Sequence, residues 1–283
     1  MPKKNILHRP FPSLYEAQKW PEYKFLIEED IPGSEMKLKL SEKQDAFGEF
    51  VQKWATQLEE MLTQRLPDHS LPPDFNVPGS SLTTNAQPAN TLFAGIQMLL
   101  RADVAFKLNE YGPSCFYPDD FSELPVPSQL SYDVELSNIA TDLLQTLGKP
   151  GVTYLEMKSL GCCFQCGRCN EHRGPMNWRG IIQHYVAQKS IWLSHTSKSS
   201  VRSAQDFVYL FTHDTKVESG KPLVRIVNGS DASALNHAYT HGLLCLVCSN
   251  VGIYERCPEA YINDHLRDVH LIEEPEKGKH YSS

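Results

Sequence analysis

Four of the eight cysteines in this chain lie within the stretch CCFQCGRC, residues 162–169. A second stretch, CLVCSNVGIYERCPEAYINDHLRDVH, combines Cys245 and Cys248 with His265 and His270. Structural zinc sites use this set of ligands, with two cysteines on a tight turn and two histidines on one face of a helix. The residue types and their spacing therefore predict zinc binding at two places in the chain.

The second stretch predicts a variant zinc finger whose four ligands are close together in sequence. Two residues separate Cys245 from Cys248, and His265 and His270 are five positions apart, which suits one helix. Ile262 precedes His265 by three positions, where the helix of a finger buries an apolar residue. The loop between the cysteine pair and His265 has sixteen residues, more than the usual number of about twelve.

The first stretch leaves two cysteine pairs open, and Cys166 belongs to both. The fourteen-residue loop from Cys169 to His184 favours Cys166 with Cys169. The constant offset of 82 residues between the two clusters favours Cys163 with Cys166. His184 lacks a second histidine five positions later, so we expect His195, eleven positions later, to reach the metal beyond the end of the helix. A site of three cysteines and His184 is the competing arrangement.

The rest of the chain must supply the elements that position these groups. The sequence predicts an α+β protein, with an N-terminal helical region followed by an α+β half that holds two finger-like Cys/His clusters. Residues 1–150 form the helical region, 151–272 the zinc-binding α+β domain with two sites, and 273–283 a loose charged tail. The predicted segments are an extended arm at 1–40, helices at 41–65 (capped by Ser41), 89–108 and 129–147, Pro-rich loops at 66–88 and 111–128, and β-like stretches at 152–160, 206–211 and 222–227.

Composition and charge narrow the classes of function. The formal net charge of −7 argues against broad binding to DNA, which depends on Lys and Arg at the phosphates. The longest apolar run, residues 92–100, is half the length that a membrane span needs, and the N-terminus resembles no secretory signal. We therefore expect an intracellular protein of the cytoplasm or nucleus, where clustered cysteines bind metal more often than they form disulfides.

Two phrases, FQCGRC…PMNWRGIIQHY and CLVC…YINDHLRDVHLIEEP, resemble the C-terminal region of the F-box-type proteins of mushroom-forming fungi. In that family a phrase F-x-C-x-R-C precedes M-x-W and a helix with a histidine, and a later Cys-x-x-Cys leads to His-x-x-x-x-His. The likeness covers roughly residues 155–275 and includes Phe164, Arg168, Met176 and Trp178. No F-box phrase precedes it in this chain.

The resemblance bears on the ligands and on the function. It implies that Cys166 and Cys169 are the first pair. With this pair as ligands, we expect Cys162 to be a buried structural residue and Cys163 a spare thiol. It also implies an adaptor-like role.

Three hypotheses of function follow. The first is a non-catalytic protein-interaction module that contains two structural Zn²⁺ ions and binds a protein partner; the protein is then not an enzyme and contacts no membrane. The second is a nucleic-acid-binding zinc-finger protein, for which the segment from Cys245 to His270 is too acidic. The third is a zinc hydrolase, which would need an open metal position. The predicted metal ligands are Cys166, Cys169, His184, His195, Cys245, Cys248, His265 and His270.

Overall fold

The computed structural model describes residues 9–28, 32–67, 94–109, 112–122, 130–169, 174–204, 206–227 and 242–283. The chain forms two compact units, of which the first comprises residues 1–137 with 151–156 and the second residues 138–150 with 157–283. Helices combine with small antiparallel sheets, which confirms the predicted α+β class. No helix within the described ranges is long and apolar enough to cross a membrane.

The first unit opens with helices where the sequence predicted an extended arm. These are α1 (Leu14–Ala17), α2 (Pro21–Glu28) and α3 (Gly33–Glu42), and the helix predicted at 41–65 is α4 (Gln44–Thr63). Ser41 lies inside α3 and does not cap α4 as predicted. Helix α4 forms because its apolar residues recur at helical spacing, and one stripe of them is buried: Ala55, Leu58 and Leu62.

A small sheet replaces the ends of two predicted helices in the first unit. After α5 (Ala94–Leu99) the chain forms β1 (Phe106–Leu108), β2 (Ser114–Cys115) and β3 (Leu130–Tyr132), in the order β2-β1-β3. The helix predicted at 89–108 therefore ends early, because Val104, Phe106 and Leu108 alternate as strand residues do. The predicted loop at 66–88 lies almost wholly outside the described residues.

A partly buried ion pair lies beside the core of the first unit. Arg9 donates from Nε to Glu59 Oε1 at 2.9 Å and from a terminal nitrogen to Glu59 Oε2 at 2.5 Å. The hydroxyl of Tyr117 donates to the same carboxylate at 2.6 Å. Glu59 is thus fully hydrogen-bonded although it is only 4% exposed.

Two further segments differ from the sequence prediction. Asp133 begins α6 (Val134–Thr146) by accepting a hydrogen bond from the Leu136 N–H at 3.1 Å, so the helix starts after β3 and not at residue 129. Residues 152–160, predicted as β-like, contain α7 (Tyr154–Ser159). Thr153 and Glu156 cap this helix reciprocally, at 3.2 Å and 2.9 Å, in the pattern of a capping box.

The second unit contains both cysteine-rich stretches. Strand β4 (Phe164–Cys166) pairs with β5 (Val224–Ile226), and helices α8 (Trp178–Thr196) and α9 (Ser199–Ser203) lie between them in sequence. Strand β6 (Leu243–Cys245) lies between β7 (Arg256–Cys257) and β8 (Tyr281–Ser282), and α10 (Leu246–Ser249) and α11 (Ile262–His270) complete the unit. The predicted loose tail thus ends in a strand.

Candidate metal centres

The first stretch contributes to a group of four side chains that we name centre 1: Cys166, Cys169, His184 and His213. One ligand atom from each lies within 4.8 Å of the other three. The sulfur of Cys169 is 3.2 Å from His184 Nε2 and 3.1 Å from His213 Nε2. The two Nε2 atoms are 3.2 Å apart. Both imidazoles therefore present the same nitrogen to one point.

The cysteine pair of centre 1 is Cys166 with Cys169, and its turn is fixed by the sheet. Cys166 is the last residue of β4 and pairs with Val224, and the N–H of Gly167 donates to Leu223 at 2.9 Å. A Cβ atom at Gly167 would lie 2.0 Å from the carbonyl oxygen of Pro222, so only glycine fits here. The N–H of Cys169 then points at the Cys166 sulfur at 3.3 Å and closes the turn.

Helix α8 supplies His184 from its buried face. Asn177 caps the helix by accepting from the Gly180 N–H at 2.7 Å. Ile181 and Tyr185 are buried on either side of His184, and the Tyr185 hydroxyl donates to the Leu223 carbonyl at 2.6 Å. Burial raises the pKa of Tyr185, and the adjacent sulfur of Cys166 adds to the increase. Helix α8 is thereby fixed to the segment that precedes β5.

The prediction of His195 as the fourth residue is corrected by the structure. Helix α8 continues unbroken to Thr196, so His195 lies about 16 Å along the helix axis from His184. Its Nδ1 atom is instead 2.9 Å from the hydroxyl of Tyr209. Burial lowers the pKa of His195. His195 therefore lies in a different environment from centre 1.

His213 takes that fourth place, and the sequence reasoning missed it. It follows an extended run in which Phe207, Tyr209 and Phe211 alternate with exposed Val208 and Leu210. Residues two apart in an extended chain share a face, so His213 falls on the inward face of this run. His213 is only 6% exposed. The alternation was the signal that could have identified it.

The two remaining cysteines of the stretch stay outside centre 1. Cys162 is exposed, which contradicts the expectation that it is buried, because it lies in a turn before β4 begins. Cys163 is partly buried, and its carbonyl oxygen accepts from the Val227 N–H at 2.8 Å. Side chains alternate along an extended strand, so Cys163 and Cys166 point to opposite faces of β4. The offset of 82 residues was therefore misleading.

The second stretch forms centre 2, in which the structure brings together all four predicted residues: Cys245, Cys248, His265 and His270. Their ligand atoms also lie within 4.8 Å of one another, and all four residues are buried. The sulfur of Cys248 is 3.1 Å from His270 Nε2 and 3.6 Å from His265 Nε2. The N–H of Cys248 points at the Cys245 sulfur at 3.4 Å, as in the turn of centre 1.

Helix α11 positions both histidines of centre 2. Ile262 and Leu266 are buried in a small core that also contains Cys245 and Cys248. The helix ends at His270, because the next residue, Leu271, adopts a left-handed conformation with φ of 59°. His270 Nδ1 lies 2.7 Å from the carbonyl oxygen of Val208, which leaves Nε2 facing the sulfurs.

In each centre, hydrogen bonding favours negative charge on one of the two sulfurs, whereas the hydrogen bond with Cys245 and burial raise the pKa of Cys248. In centre 1, a hydrogen bond from the Cys169 thiol lowers the pKa of Cys166. In centre 2, a hydrogen bond from the Cys248 thiol lowers the pKa of Cys245 to about 2. Burial alone would lower the pKa of His265, but its hydrogen bonds with Cys245 and Cys257 raise it to about 10. A bound cation would stabilise such sulfur anions directly.

The spacing of the donors fits a tetrahedral metal ion. Bonds of about 2.3 Å to sulfur and about 2.0 Å to nitrogen require about 3.3–3.8 Å between neighbouring ligand atoms. The nitrogen–nitrogen distance in centre 1 is 3.2 Å, and the sulfur–nitrogen pairs at hydrogen-bond distance in the two centres are 3.1–3.6 Å apart. His184 Nδ1 is buried and has no hydrogen-bond partner among the described residues, whereas its Nε2 faces the other donors. Both groups could therefore hold a metal ion.

Comparisons with known protein families, with curated proteins and with solved structures found no match for this chain. The assignment of the two centres therefore depends on their own geometry and chemistry.

Proposed function

We propose that this protein is a non-catalytic interaction module whose second unit is stabilised by two zinc ions. The observation that carries the proposal is that each centre converges four protein donors on one point. Four protein ligands complete the tetrahedral coordination of zinc and leave no position for water or substrate. Sites of this kind are structural, because the energy of metal binding becomes energy of folding.

The donor set supports zinc over other metal ions. Each centre offers two thiolates and two imidazoles, the Cys₂His₂ combination of structural zinc sites. Calcium and magnesium prefer oxygen ligands, and neither centre contains a carboxylate. Tetrahedral sites with two sulfurs and two nitrogens are typical of zinc.

Charge supports a protein partner over a nucleic acid. Helix α11 would be the reading helix of a finger, but Arg267 on that helix is paired with Asp264 at 2.5 Å and with Asp268 at 3.1 Å. An arginine held by two carboxylates is a poor donor to base edges or phosphates. The exposed side chains of the second unit include large apolar ones that a protein surface could cover: Val208, Leu210, Tyr254 and Leu271.

The likeness to the F-box-type fungal proteins is part of the proposal and makes the role adaptor-like. In an adaptor the metal centres stabilise the fold of a binding surface, and a partner protein carries out the catalysis.

The experiment is metal analysis of the full chain, expressed with ample zinc, as wild type and as the Cys166→Ser and Cys248→Ser variants. We expect two zinc ions per wild-type chain and one per variant chain. Chelation of wild-type protein should reduce the far-UV circular dichroism of α8 and α11 and leave the helical signal of the first unit. Fewer than two zinc ions per wild-type chain would contradict the proposal, and tight binding of random duplex DNA at low salt would favour the nucleic-acid alternative.

A further inference from the structure

One stretch outside the helices and strands, residues 206–213, contributes to both metal centres, and we name it the linking segment. At one end, the carbonyl oxygen of Val208 lies 2.7 Å from Nδ1 of His270, a residue of centre 2. At the other end, His213 is itself a member of centre 1. Only the four residues 209–212 separate the two contacts. A carbonyl that accepts from the second ring nitrogen of a ligand histidine fixes the orientation of that ligand.

Hydrogen bonds and a ring contact hold the linking segment along its length, so a shift at one end is transmitted to the other end. The Leu210 N–H donates to the Val269 carbonyl at 2.9 Å, next to His270 on helix α11. Trp192 donates from its indole N–H to the Tyr209 carbonyl at 3.1 Å. The ring of Trp192 also lies 5.3 Å from that of Phe211. Both backbone edges of the segment are thus hydrogen-bonded between the two centres.

Helix α8 provides a second route between the centres. It carries His184 of centre 1 and, eight residues later, Trp192, which holds the linking segment. The hydroxyl of Tyr209 also lies 2.9 Å from Nδ1 of His195 on the same helix. Among the described residues, Nδ1 of His184 in centre 1 has no hydrogen-bond partner, whereas Nδ1 of His213 lies 3.0 Å from the hydroxyl oxygen of Thr212. The position of His213 therefore depends on the segment that centre 2 also holds.

We propose that zinc binding at the two centres is positively coupled through the linking segment. This inference assumes the proposed function, because it requires a zinc ion in each centre. The first ion orders residues 206–213, so the second ion binds a segment that has already lost its conformational freedom. Coupling between two sites on one protein is commonly about 5- to 150-fold in affinity, and it is reciprocal.

The experiment measures the populations of the zero-, one- and two-zinc forms of the full chain by native mass spectrometry during a chelator titration. Two independent sites give a one-zinc form that reaches at least about half of the chains at its maximum. If the two sites have equal affinity, coupling of about 5-fold limits the one-zinc form to about a third of the chains, and coupling of about 150-fold limits it to less than a tenth. The population of the one-zinc form in the wild-type protein therefore tests the coupling without any mutation.

Two variants that keep all eight proposed ligands test the route. Trp192→Phe removes the indole hydrogen bond to the linking segment and retains an aromatic ring against Phe211. Ser200→Ala is the matched control, since it also removes one side-chain bond to a carbonyl, that of Val251 at 2.6 Å, but not from this segment. We expect the one-zinc form to increase in Trp192→Phe and to stay at the wild-type level in Ser200→Ala.

The single-centre variants Cys169→Ser and Cys248→Ser give the affinity of each remaining centre, which allows for unequal sites. We expect the overall two-zinc binding constant of the wild type to exceed the product of the two single-centre constants by at least about five-fold. Equality of the two quantities would overturn the coupling and leave the proposed function standing, since two ions still bind. An unchanged one-zinc form in Trp192→Phe would overturn the route through the linking segment. Fewer than two ions per wild-type chain would instead contradict the proposed function itself.

Discussion

Replacing His213 with alanine should remove one of the four donors of centre 1 and release its zinc ion. Structural zinc sites contribute about 10–16 kcal/mol, so an equal share for each ligand is about 2.5–4 kcal/mol, or a loss of roughly 100- to 1,000-fold in affinity. The substitution also leaves a void, since His213 is only 6% exposed and its ring lies 5.3 Å from the ring of Tyr185. Both effects act in the same direction.

The assay is zinc per chain after dialysis against a chelator of moderate affinity. His213→Ala should fall from two zinc ions to one, while His213→Cys should retain two because three thiolates and one imidazole also hold zinc. His195→Ala is the matched control: it loses only the contact with Tyr209 at 2.9 Å, about 0.5–1.5 kcal/mol of stability. One zinc ion in His195→Ala together with two in His213→Ala would refute the assignment of the fourth ligand.

Three further outcomes are expected. His265→Ala and Cys248→Ser should each lose one zinc ion and lower the unfolding temperature of the second unit to the same extent, and a clear difference in zinc content between them would count against a shared coordination sphere. Arg9→Ala should lower the free energy of unfolding by about 2 kcal/mol, which is less than for a fully buried pair because the Arg9 side chain is 35% exposed. An unchanged midpoint of urea unfolding would show that Glu59 needs no cation. Burial raises the pKa of Tyr117 above its ordinary value of 10.0. The neutral hydroxyl therefore contributes its full stabilisation below about pH 10, and the free energy of unfolding falls above that pH by up to about 1.4 kcal/mol per pH unit. Urea unfolding between pH 8 and pH 11 should show a smaller alkaline decline in Tyr117→Phe, and identical slopes would contradict the raised pKa.

The sequence predicted centre 2 fully because its chemistry is local. Its four residues lie within one stretch, on a turn and a single helix, and the ligand spacing of a zinc finger predicts that His265 and His270 both act from that helix. Centre 1 is different, since His213 is 29 residues from His184 and belongs to no helix. Spacing rules carry no information about which distant segment folds back onto a site.

Secondary structure was predicted best where a periodic pattern was long and least well where segments were short. Helix α4 has an extended amphipathic stripe and was found, whereas Phe106 was assigned to a helix and lies in the central strand of a small sheet. The capping box of Thr153 and Glu156 is a sequence signal for α7 that the apolar character of residues 152–160 concealed. The prediction for His195 failed for a related reason, because nothing at its position ends helix α8.

The most direct test of the central claim is X-ray absorption at the zinc edge of the purified, zinc-loaded protein. Both centres should contain two sulfur and two nitrogen ligands, so the average zinc ion should have two sulfurs at about 2.3 Å and two nitrogens at about 2.0–2.1 Å. A spectrum with these distances in equal numbers would agree with two closed Cys₂His₂ centres. A first shell dominated by oxygen, or one with four sulfurs, would contradict the account.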